Sequence, residues 1–335
     1  MEDMLPPPTD DKQGFTGVKG FGMDMTCRGF KYSFGSAYKM EGPAVVCRHG
    51  FHAMSPMYDP IRVFDFYPPP TSRYARVRQS GDIHVAGAKT ASTEIAIGDE
   101  LSLSDVATLG AEYAIRRARK FGHVIQAADN RCVAVENRPD GAALAVGIYC
   151  VAMTTHGCND IAQVDGVGAV AISAGGGWGW GRSIARAYND RSTAVQTVSD
   201  GVAHAIGDSG VAVNTGSRGA ATSDGFHGVS IATGNNSAAQ SSGYGGVAIA
   251  TAYNSTARSG GESGAAIAVG RDGMVRGDVD GVALFARQIG DAWTSPRVIG
   301  VACGITGVGG IKAGVWYRCV GSALVEVEGQ DHGGN

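Results

Sequence analysis

Cys47-Arg-His49-Gly-Phe-His52-Ala53 brings one thiol and two imidazoles within seven residues, side-chain types that could hold a metal. Structural zinc needs four ligands in closed tetrahedral geometry, and no fourth can be named, so no metal is expected. Calcium bound by glycine-rich nonapeptide rolls needs aspartates that recur in register; Asp208, Asp224 and Asp272 do not. The chain has no convincing G-x-S-x-G, Walker loop or paired-carboxylate signature. Trp178 and Trp180 stand among the glycines of Gly175-Gly-Gly-Trp-Gly-Trp180. Protruding aromatics of this kind suit a receptor or glycan contact, or a cover over neighbouring structure. Arg116, Arg117, Arg119 and Lys120 form a basic cluster. It reads as a solvated helix end, because a net charge of −3 leaves no electrostatic footprint for nucleic acid.

The elements that must position these residues fall into successive segments. Residues 1–14, acidic and proline-rich, read as a mobile tail without a signal-peptide core. Residues 15–105 are aromatic and mixed in charge and suggest a compact α+β front domain. Phe30–Phe34 and Tyr74–Arg78 alternate as half-buried strands, and Asp59–Tyr67 has room for a short helix. A linking helix is expected over 104–125, with Ser104 as N-cap and Val106, Leu109, Tyr113 and Ile115 as its apolar face. Residues 288–335 read as a β cap and tail, with strands at Val298–Ala302 and Gly314–Arg318. No apolar run is long enough for a membrane span.

From about 130 to 287 the phrase Gly-Val-Ala-x-x-x-Gly returns every nine residues. Its central marker falls at Ala203, Ala212, Ala221, Ser230, Ala239, Ala248, Ala257 and Ala266, and five residues are inserted around Gly175–Trp180. A fixed short period specifies a solenoid. Alternate phrases differ: Val211 and Val213, Val229 and Ile231, Val247 and Ile249, Ala265 and Ile267 flank one set of markers. Val202 and His204, Ala220 and Thr222, Ala238 and Gln240, Thr256 and Arg258 flank the other. The structural period is therefore eighteen, a coil of two strands, in a parallel β-solenoid of the β-roll kind.

Strand neighbours point to opposite faces. Small markers turned inward leave one outer face polar and suited to water, and the other a ladder of valine and isoleucine. Covering Val211, Val213, Val229, Ile231, Val247, Ile249 and Ile267 involves on the order of 10–20 kcal/mol as an upper bound, at roughly 1.5–3 kcal/mol each. A stripe of that size is rarely left in water. It is read as the seam of a homo-oligomer, a trimer for preference. The competing arrangement turns Val and Ile inward in one strand and Ala inward in the other, giving a monomer.

The seven cysteines form no C-x-x-C pair and read as reduced thiols of a cytosolic protein, with virion packaging also compatible. The phrases Gly210-Val-Ala-Val, Gly228-Val-Ser-Ile and Gly246-Val-Ala-Ile resemble repeats in the heads of trimeric autotransporter adhesins. That resemblance implies left-handed parallel β-rolls packed in threes. Lys19-Gly-Phe21, Thr26-Cys-Arg-Gly-Phe30, Cys47–Ala53 and Val63-Phe-Asp-Phe-Tyr67 resemble an uncharacterised domain of bacteriophage genomes, often followed by glycine-alanine repeats and a segment similar to Gly314–Gly321. It implies a phage origin and no established activity. Gly50–Ser55 is also loosely similar to part of the nicotinamide-binding core of ADP-ribosyltransferases. That similarity implies NAD as cofactor, with Arg28 or His52 holding the dinucleotide, Tyr67 stacking and Glu94 polarising the ribose.

Two roles follow. One is a non-enzymatic virion appendage or scaffold, without cofactor, whose partners are its own copies, other phage structural proteins, or a host protein or glycan. The other is a host-directed effector acting in the host cytoplasm through its front domain.

Overall fold

The computed structural model describes residues 14–156, 159–174, 182–289 and 298–327. Within them the chain divides into two compact units, residues 14–67 with 71–106, and residues 68–70 with 107–327.

The front unit contains strands β1 (Phe15–Gly22), β2 (Thr26–Cys27), β3 (Phe30–Lys31), β4 (Ala37–Lys39), β5 (Phe51–Met54), β6 (Ser72–Ala86) and β7 (Lys89–Leu101). β6 and β7 form a long antiparallel hairpin closed at Gly87-Ala88; β1 adds to β6, and β4 and β5 both pair with β7. Aromatic residues fill its core. Phe21, Tyr32 and Phe51 are buried, and the Phe21 and Tyr32 rings meet edge to face at 5.2 Å. The helix expected near 59–67 is a 3-10 turn, Pro60–Asp65. Its first free N–H, at Ile61, is capped by the Asp59 carboxylate at 2.9 Å, and it buries Ile61, Val63 and Phe64. The front unit is therefore β-rich, with its α character reduced to short 3-10 turns.

Helix α1 spans Leu103–Phe121. Its cap is Ser102 rather than Ser104: the Ser102 hydroxyl accepts the Asp105 N–H at 3.1 Å, while Asp105 accepts the Ser102 N–H at 2.8 Å. This reciprocal exchange satisfies two donors at once, whereas the Ser104 hydroxyl is buried without a partner. The buried stripe also differs from the expected one. Val106 is buried as expected, and Ala107, Ala111, Ala114 and Ala118 join it inside, while Leu109, Tyr113 and Ile115 are half-exposed.

In the second unit the solenoid begins at the strand Val124–Ala128, ahead of the first alanine marker. About nine coils follow, each made of two short strands that stack into two parallel sheets. The eighteen-residue step is explicit in the register: Val211 pairs with Val229, Val229 with Val247, and Val247 with Ala265. Ile161 pairs with Ile184, a step enlarged by the five-residue insertion.

Every marker from Ala203 to Ala266 is fully buried, and the valines and isoleucines beside them face outward, as the inward-marker arrangement requires. Most of the repeated glycines serve close approach, although Gly207 and Gly225 also take positive φ of 120° and 128°. A Cβ at Gly234 would strike the Gly216 carbonyl of the preceding coil. One series of left-handed turn positions is Asp200, Arg218, Asn236, Asn254 and Asp272, with φ of 49–59°, and Ser209, His227 and Ser263 belong to the alternate series. Asp and Asn tolerate that region best. Arg218 is held there by a forked pair to buried Asp200 at 2.7 and 2.8 Å.

The middle of the second outer face is not open to water, although the Arg258 side chain further along it is 33% exposed. His204 is 2% exposed and Thr222 is 0%. Part of the cover within this unit is α1, whose Thr108 hydroxyl accepts from Arg186 at 3.0 Å. Near its end Arg117 forks onto Asp140 at 2.7 and 3.2 Å, so the basic cluster includes one paired member. Parallel stacking stops where Val298–Ile305 folds antiparallel onto Ala283–Ile289 and Tyr317–Val320 onto Met274–Gly277. The second cap strand starts later than Gly314 because that residue turns the chain at φ 76°. Antiparallel hairpins occupy the edges that another coil would use. Among the described residues no helix is long and apolar enough to cross a membrane.

Candidate functional site

Lys19 lies in β1 between Val18 and Phe21, where the strand carries it into the aromatic core at 3% exposure. A buried ammonium must replace its lost water. Its Nζ donates to the His52 carbonyl at 2.7 Å and to Cys27 Sγ at 3.2 Å, and lies 4.9 Å from the Tyr32 ring centre. Burial lowers its pKa, and Cys27 acts in the opposite direction.

Cys27 links Lys19 to Tyr67, whose hydroxyl is 2.8 Å from the sulfur. Tyr67 follows the 3-10 turn and is fixed on two sides. Its carbonyl accepts the Tyr74 hydroxyl at 2.7 Å, and its ring fills the space that a side chain at Gly20 would need. Burial drives the Tyr67 and Tyr32 hydroxyls far above their usual range, with Cys27 adding to it, so both stay protonated.

His52 sits on β5, and its Nε2 accepts the Cys47 N–H at 2.8 Å. The proton of the neutral ring is therefore on Nδ1. Burial first, then the positive charges of Lys19 and Arg28, push His52 down to about 4. Arg28, exposed and in the left-handed region at φ 53°, donates to the Cys47 carbonyl at 3.3 Å. Two cationic side chains thus converge on a neutral imidazole, a thiol and a phenol. Among the described residues no carboxylate pairs with Lys19 or Arg28. Such a group can receive an anion, phosphate or carboxylate, more readily than a cation.

Of the residues singled out in the sequence, Arg28, His52 and Tyr67 meet in this cluster. Glu94 does not. Its carboxylate bonds Lys39 at 2.8 Å and Ser80 at 3.0 Å, and those bonds hold its pKa down. Lys19 and Cys27 were missed as site residues. The available signal was a lysine next to Val18 and two residues before Phe21, in a strand otherwise suited to the core. His49 Nδ1 rests on the Pro43 carbonyl at 2.9 Å. Among the described residues no three His, Cys, Asp or Glu side chains are grouped to hold a metal. Trp178 and Trp180 lie outside the described residues.

A second candidate surface is the outer face of the solenoid's aliphatic sheet. Val211, Val213, Val229, Ile231, Val247, Ile249 and Ile267 are half-buried, each flanked along its strand by fully buried residues and stacked in register with its counterparts one coil away. Near the first coil Val133 and Val135 are exposed at 60% and 45%, extending the same aliphatic rows.

Residues 15–109 match the family described as a domain of unknown function (DUF7666). No curated protein and no solved structure matches the chain. The match is confined to residues 15–109, and the β-solenoid lies outside it.

Proposed function

We propose that this is a phage-encoded, non-enzymatic structural or interaction protein. Its solenoids join side by side, three for preference, through the valine–isoleucine ladder and display the front domain as a virion appendage or scaffold. The observation that carries the reading is the inequivalence of the two outer faces. On the polar face His204 and Thr222 are buried and α1 lies over part of the sheet, whereas the aliphatic face has no cover among the described residues. Exposed apolar surface that is contiguous and in register favours association with a copy of itself. The order of front-domain phrases, glycine-alanine repeats and closing segment supports the phage origin.

Light scattering of the full chain at micromolar concentration should give three chains per particle. Val247→Asp with Ile249→Asp, both pointing outward, should give folded single chains. A wild-type protein that is already monomeric would remove the proposal. Copurification with particles tests the virion role.

The charged cluster favours a second reading, a host-directed effector whose front domain binds a nucleotide. Lys19, Arg28, His52 and Tyr67 supply cation, hydrogen bond and ring, the groups that phosphate and base require. Glu94 stands apart, which favours binding over ADP-ribosyl transfer with NAD. Calorimetry with NAD and ATP should then show heat that Arg28→Ala diminishes at least fivefold, and no heat from either would dismiss this reading.

A further inference from the structure

Two cysteines one coil apart meet at the start of the solenoid. Cys132 precedes the strand Val133–Glu136 and Cys150 precedes Val151–Thr154, and these strands pair in parallel with Val133 opposite Val151. The ladder carries on to the cysteines themselves, since the Val151 N–H donates to the Cys132 carbonyl at 2.9 Å and the Cys132 N–H to Cys150 Sγ at 3.3 Å. Their sulfurs are 2.7 Å apart. Neighbouring strands lie about 4.8 Å apart, inside the roughly 4.4–6.8 Å that a disulfide spans between Cα atoms. Backbone register, not side-chain flexibility, therefore sets the pair.

We infer that Cys132 and Cys150 are a reversible dithiol–disulfide pair that staples the first coil to the second when the chain meets an oxidising thiol pool. The two thiols are not equivalent. Cys132 is partly exposed and Cys150 is fully buried, its thiol donating to the Asp129 carbonyl at 2.8 Å. Burial also raises the Cys150 pKa. With glutathione disulfide as oxidant, Cys132 loses its proton and its thiolate attacks one glutathione sulfur, so the S–S bond breaks and one glutathione leaves. Cys150 then gives up its proton and attacks Cys132 Sγ, expelling the second glutathione. The two protein thiols are oxidised, one small disulfide is reduced, and the two protons end on the two glutathiones.

The staple acts where the solenoid is least supported. The first coil has a neighbour on one side only, and stability in a solenoid is a sum of nearest-neighbour terms. Closing an eighteen-residue loop removes freedom from the opened state and leaves the folded coil in place.

The test uses the full chain incubated with excess glutathione disulfide or with dithiothreitol. After chymotryptic cleavage behind Tyr149, mass spectrometry should find Cys132 joined to Cys150 only in the oxidised sample. Hydrogen exchange over residues 124–154 should slow about tenfold or more. Cys132→Ser and Cys150→Ser should each abolish both effects, and Cys158→Ser should leave both intact. A link to another cysteine, no link in excess oxidant, or unchanged exchange in the linked protein would overturn the inference.

Discussion

The front unit and the solenoid bury opposite kinds of side chain. In the front unit large aromatics surround a single ammonium, and each contact occurs once. In the solenoid the core is mostly a column of alanines and serines, and the strand register recurs every eighteen residues except at the five-residue insertion. A repeated contact is tightly constrained in size but carries no individual chemistry. A contact made once can place a charge where it costs stability, and such a cost suggests a use for the group.

The largest effect that would test this contrast is a change of size in the column. Ala248 is fully buried between coils, so Ala248→Leu should lower stability by about 3 kcal/mol. The outward neighbour change Val247→Leu should cost under about 0.5 kcal/mol. Urea midpoints compare the two, and equal losses would mean that the column is not narrow.

The next effect separates the units by pH. His52 has its folded pKa lowered from 6.5 to about 4, so the unfolded chain binds more protons between these values. Its stabilising contribution is complete above about pH 6.5 and is lost as pH falls to about 4. Glu136 in the first coil is lowered from 4.5 to about 2, chiefly by the Arg138 fork at 2.6 and 2.8 Å. Its contribution is lost only between about pH 4.5 and 2. Denaturant midpoints followed against pH should lose the upper slope in His52→Gln and the lower slope in Glu136→Gln. A single shared transition unaffected by either change would break the contrast.

The smallest effect concerns Lys19. A buried ammonium without a carboxylate partner contributes little to stability, so Lys19→Met should leave it unchanged or raise it by about 1 kcal/mol. Thermal denaturation decides the sign. A loss beyond about 2 kcal/mol would make Lys19 a structural residue like its neighbours and weaken the case for an anion site.

Much of the solenoid was legible because its signal is repeated. The nine-residue markers indicated the small core, the eighteen-residue coil and the outward aliphatic ladder, each visible in the register. The covered second face was not legible, since a ladder of His204, Thr222 and Gln240 reads as solvated until a helix is placed on part of that sheet. The helix cap shows the same limit on a smaller scale. Ser102 and Ser104 are both good caps by type, and only the Asp105 geometry chooses between them. In the front unit the phrases containing Lys19 and Cys27 stood out, but their meeting across β1 and β2 is a long-range contact without local pattern.

By itself, the amino-acid order settled everything that depends on period: where the coils recur, which residues are small enough for their interior, and which outer face is apolar. Tertiary structure alone decided that α1 covers part of the polar face, which serine caps the helix, and that Lys19, Cys27, Tyr67 and His52 meet in one cluster. The physical reason is range. Periodicity is set by neighbours along a strand, whereas burial of a charge and the meeting of two cysteines depend on which distant segments the fold brings together.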